Sequence, residues 1–114
     1  MGPSASEPVL HILLALADRP RHGYAIVQEI EHRTHGAVRI GTGTLYTALK
    51  RLREGGLIEE AEDPDTVDPG ERRRRTYALT KRGRTELADQ AQRLAALMDH
   101  ARQKKVLPTP RPAS

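Results

Sequence analysis

The chain has 114 residues, enough for one domain with a small core. Aromatics are 3% of it and cysteine is absent, so the core is expected to be aliphatic, and disulfides and thiolate metal sites are excluded. The net charge of +4 favours an anionic partner, no apolar run approaches a membrane span, and no signal-peptide pattern opens the chain, so a cytoplasmic protein without a membrane partner is expected.

Residues 1–6 read as a disordered N-terminus, with Ser6 placed to cap a first helix and Pro8 tolerated in its first turn. From Val9 to Ala17 only His11 is polar. A helix apolar nearly all round needs cover on most sides, so Val9, Ile12, Leu13 and Leu16 are expected at an interface with another surface. Arg19-Pro20 ends it. Ile26, Val27 and Ile30 mark a second helix, from Gly23 to His35, stopped by Gly36. A third helix runs from Thr42, read as its N-cap, to Glu54, with Leu45, Leu49 and Leu52 turned inward.

Leu57 and Ile58 begin a strand, and residues 63–70, DPDTVDPG, are turn chemistry. Arg72 to Leu79 alternates as a second strand, with Arg75, Tyr77 and Leu79 on one face. Thr80 caps a long fourth helix over 81–105, where Gly83 is a mild weakness. The Pro-rich tail, 106–114, reads as disordered. The order predicts a mainly α, α+β winged helix over 7–80: a three-helix winged helix-turn-helix with a two-stranded wing, followed by a C-terminal dimerisation helix.

Three surfaces carry the functional expectation. With the leucines inward, the third helix turns Gly43, Thr47, Lys50 and Glu54 outward, flanked by Thr44, Tyr46 and Arg51. Small residues at its N-terminal end permit close approach to a major groove, and Lys50 and Arg51 suit phosphates or guanine edges. The alternative is an ordinary solvated helix face. Every charge from Glu59 to Glu71 is acidic and every charge from Arg72 to Arg84 is basic. Arg72, Arg73, Arg74 and Arg75 fit a wing lying along a phosphate backbone, although alternate arginines face opposite ways and acidic neighbours can neutralise them. Leu87, Ala91, Leu94, Met98 and Ala101 form a heptad seam, widened by Ala95 and Leu97, that points to a homodimer. The alternative for the seam is a helix folded onto its own domain.

His32 and His35 lack a third ligand at a diagnostic spacing, so neither a metal nor any other cofactor is expected, and no catalytic constellation suggests an enzyme. A winged-helix module that docks a protein instead of DNA is the competing reading, disfavoured by the exposed cations.

The segments PRHGYAIVQEI, GTLYTALKRLREGGLI and RRRRTYALTKRGRTEL resemble the PadR-like family of bacterial transcriptional regulators, in order and spacing, over about residues 9–90. The chain is similar to the short subfamily, in which a single C-terminal helix mediates dimerisation. Thr47 stands where the family usually has proline. The resemblance implies a repressor of a nearby operon and relief by a small aromatic or lipophilic ligand; the two-fold symmetry of a homodimer predicts an inverted-repeat operator in double-stranded DNA. Carried over by position, Thr42 to Arg51 would contact DNA and Arg72 to Arg75 would form the wing contact.

Overall fold

The structure, a computed structural model, describes residues 7–61 and 75–108. In chain order these form α1 (Glu7–Ala15), β1 (Arg21–His22), α2 (Gly23–Arg33), α3 (Thr42–Glu54), β2 (Ile58–Ala61), β3 (Thr76–Leu79) and α4 (Lys81–Gln103). The expected N-terminal segment, the DPDTVDPG loop, Arg72 to Arg74 and the last residues of the tail lie outside the described residues.

The fold is the expected winged helix with a long final helix, and its sheet has one more strand than expected. The antiparallel order is β1-β3-β2, with Arg21 opposite Tyr77 on one side of β3 and Glu60 opposite Tyr77 on the other. A two-residue strand carries no readable alternation, so β1 is invisible to hydrophobic patterning. Arg21 also ties the sheet to α1. Its Nε donates to the carbonyl of Ala15 at 2.8 Å, satisfying an acceptor that the end of the helix leaves open. The helix stops two residues short of Ala17, because Leu16 and Ala17 bond three residues back in a tightened last turn.

Three helix ends share one device. After α2, α3 and α4 the chain passes through a left-handed residue, and the next amide bonds back five residues: Gly36 to Glu31, Leu57 to Leu52, Val106 to Ala101. Gly56 serves after α3, with φ +76°, whereas His35 and Lys105 take positive φ without being glycine. Thus α2 ends at Arg33, two residues before the expected His35, and α4 ends at Gln103, two residues before the expected 105, with Val106 and Leu107 folded back onto it.

The core is aliphatic, as composition demanded, and Tyr77 is its aromatic member. Ile12, Leu13, Ala15 and Leu16 meet Ile26 and Ile30 of α2, Leu45, Leu49 and Leu52 of α3, and Ile58 of β2. This corrects part of the expected dimer interface. Ile12, Leu13 and Leu16 are at most 2% exposed and already covered within their own chain, so they offer a partner nothing. The large apolar residue of α1 that does remain exposed is Leu14.

Candidate nucleic-acid interface

Helix α3 buries Leu45, Ala48, Leu49 and Leu52. That stripe forces Thr42, Gly43, Thr44, Tyr46, Thr47, Lys50 and Arg51 into solvent, so every residue expected on the outward face of α3 is exposed. The N-cap is Gly41 and not Thr42, which is the first helical residue. No side chain caps the helix. Its first turn contains no acid, and no atom stands within 4 Å of where a Cβ on Gly41 or Gly43 would be. Open amides at the positive end of a helix favour an anion, and the missing side chains permit close approach.

The ring of Tyr46 lies across the start of α2. A Cβ on Gly23 would meet the Tyr46 hydroxyl at 3.1 Å and Leu45 at 3.4 Å, so Gly23 is the gap that admits the tyrosine. Helix α2 is capped by the side chain of His22, whose Nδ1 accepts from the Ala25 amide at 3.2 Å. Next to Gly23, Tyr24 stands two-thirds exposed beside this cluster. Sequence patterning did not single out Tyr24. Its signal was a large aromatic off the Ile26–Ile30 stripe, which a helical wheel drawn for α2 would have shown.

The hairpin β2–β3 sits under the last turn of α3. Of the four arginines expected in the wing, Arg75 is described, and it is exposed just before β3. It is not a free cation. Glu60 on β2 holds the Arg75 guanidinium at 3.5 Å and is also ion-paired with Arg53 of α3. Tyr77, across the ladder from Glu60, is buried. Burial first, and then the Glu60 carboxylate, hold its phenol above the usual tyrosine range. On the expected strand face, Tyr77 is buried, Leu79 is half-buried and Arg75 reaches solvent.

Helix α4 begins where Thr80 accepts from the Gly83 amide at 3.0 Å and donates to the Gly56 carbonyl at 2.6 Å. Arg84 donates to the Ala17 carbonyl at 2.8 Å, fixing α4 against the end of α1. Beyond Gln90 the helix leaves the domain. Leu94, Leu97 and Met98 are 45%, 63% and 44% exposed, and Ala91 and Ala95 are exposed beside them. Leu87 and Val9 are half-buried against the core, and Ala101 is partly covered by the returning chain.

His32 and His35 do not converge on a site, since His35 occupies the left-handed turn after α2. Among the described residues no group of three or more metal-ligating side chains occurs, and no helix is long and apolar enough to cross a membrane.

Known proteins share this arrangement. A PadR family transcription regulator from hypervirulent Clostridium difficile superposes with a TM-score of 0.72 at 26% identity, over 86% of this chain and 97% of that one. Bacillus subtilis PadR, in a crystal structure with operator DNA, superposes with a TM-score of 0.64 at 20% identity, over 96% of this chain and 52% of that one. In sequence, the chain is 40% identical over 86 residues to an uncharacterized 37.1 kDa protein in transposon TN4556 of Streptomyces fradiae. The match takes in 75% of this chain and spans 22% of that protein's length. The description of the PadR-like transcriptional regulators matches residues 12–89, and the chain belongs to that family.

Proposed function

We propose that this chain is a DNA-binding repressor that acts as a homodimer on an inverted-repeat operator. The observation that carries the reading is the outward face of α3: an uncapped N-terminus, two glycines open to close approach, and Tyr46, Thr47, Lys50 and Arg51 exposed along one helix. The likeness to Bacillus subtilis PadR, crystallised with operator DNA, supports the same use of the fold here.

In this reading α3 enters the major groove N-terminus first. The Thr42 and Thr44 hydroxyls and the open amides meet phosphate, while Tyr46, Thr47, Lys50 and Arg51 face base edges and the adjoining backbone. The wing, with Arg72 to Arg74, follows the neighbouring phosphates, and Arg75 at its root is held by Glu60. The exposed stripe of Leu94, Leu97 and Met98, with Ala91 beside it, joins two copies about a two-fold axis. A small lipophilic or aromatic effector would act at this apolar seam, where it can alter the spacing of the two recognition helices.

The test is a binding titration against the DNA upstream of the protein's own gene at several salt concentrations. If a dimer neutralises about eight phosphates, the log-log slope is near −7. A flat response would favour the reading in which the winged helix docks a protein.

A further inference from the structure

Glu60 stands between the two elements proposed to meet DNA. It lies two residues beyond the buried Ile58 and opposite the buried Tyr77, on the sheet face that looks toward α3. Its Oε1 is paired with the Arg53 guanidinium, from the last turn of α3, and lies 3.5 Å from Nη1 of Arg75, at the root of β3. One carboxylate oxygen is thus shared by a cation of the helix and a cation of the wing. All three side chains are at least 38% exposed, so the pairs contribute little to folding. What they do control is where two guanidiniums point and how much charge is left over for a polyanion.

We propose that Glu60 is a positioning residue for DNA binding: it clamps the root of the wing to the recognition helix and withholds the charge of Arg53 and Arg75 from the phosphate backbone. The inference rests on the DNA-binding reading above. Phosphate contacts attract any sequence alike, whereas base contacts discriminate. A carboxylate that occupies two arginines therefore lowers affinity for DNA in general and leaves base readout as a larger share of the total. Fixing the wing against α3 also fixes the angle at which α3 enters the groove.

The experiment compares the unmodified chain with Glu60→Gln, using a mixed-sequence duplex and a duplex of its own upstream DNA across a salt series. Glu60→Gln keeps the shape of the side chain and removes its charge. The expected result is several-fold tighter binding to the mixed-sequence duplex and a smaller ratio between the two duplexes. The salt slope should steepen by about 0.9 for each guanidinium released. Adding Arg53→Gln or Arg75→Gln to Glu60→Gln should each remove part of the gain. A misfolded variant loses affinity, so a gain cannot arise from damage. Unchanged or weaker binding of Glu60→Gln to the mixed-sequence duplex, with the unmodified chain binding DNA normally, overturns the role of Glu60 alone. An unmodified chain that is folded by circular dichroism yet binds neither duplex overturns the DNA reading, and this inference with it.

Discussion

A methyl group on Gly83 would lie 1.9 Å from the Leu57 carbonyl oxygen and 2.9 Å from its carbon. The obstacle is backbone, which cannot swing aside. Gly83→Ala should therefore destabilise the fold by about 1–3 kcal/mol or more, against the gain that helix propensity alone gives alanine. Gly43 is the opposite case, with open space around it, so Gly43→Ala should leave the urea midpoint unchanged or raised while weakening DNA binding. Equal midpoints for the two variants would contradict this packing. From sequence, Gly83 looked like a weak spot in a helix, because its reason is Leu57, the residue before β2, far away in the chain. Tyr77 supplies a pH prediction. Its phenol holds its proton above the ordinary value of 10.0, through burial and then Glu60. The unfolded chain ionises first, so this contribution is intact below pH 10.0 and is lost as pH rises beyond it. The alkaline fall in the urea midpoint should be shallower for Tyr77→Phe, and equal slopes would refute the assignment.

Among the elements, α3 was the most legible. Leucines at helical spacing made both of its ends, Thr42 and Glu54, legible, though not its cap. The start of α4 was legible as well, since Thr80 caps it with its own side chain. Helix α1 shows the limit of such patterns. A stretch apolar nearly all round reports that it is covered but not by what, and Ile12, Leu13 and Leu16 proved to be covered by their own chain. The Glu60 junction was equally hidden, because it joins three elements that no local spacing connects. Two predictions belong at this scale. Lys50→Ala on α3 should cost about 1–3 kcal/mol against the operator and less against mixed-sequence DNA, because base contacts discriminate and phosphate contacts do not. Equal losses on both duplexes would assign Lys50 to the backbone. On α4, Leu94→Glu should shift the chain from dimer to monomer in light scattering, since a buried unpaired charge is costly. If the unmodified chain is already monomeric, the exposed stripe has another purpose.

At the scale of the whole molecule, one small domain presents two surfaces of different character. The start of α3 exposes small and polar residues with Tyr46, followed by Lys50 and Arg51, whereas the outer part of α4 exposes the apolar stripe of Leu94, Leu97 and Met98. The long final helix contributes to an extent of 57 Å along the longest axis, and most of its outer half makes no contact with the rest of the chain that would bury it. A two-fold axis through α4 would give a particle with two recognition helices, and a DNA site with matching symmetry. Footprinting of the protein on the DNA upstream of its own gene tests this directly. The account predicts a protected inverted repeat with half-sites about one helical turn, roughly 34 Å, apart, and loss of that protection in Lys50→Ala at the same concentration. Protection of a single asymmetric stretch, or none at concentrations where the protein is folded and dimeric, would contradict it.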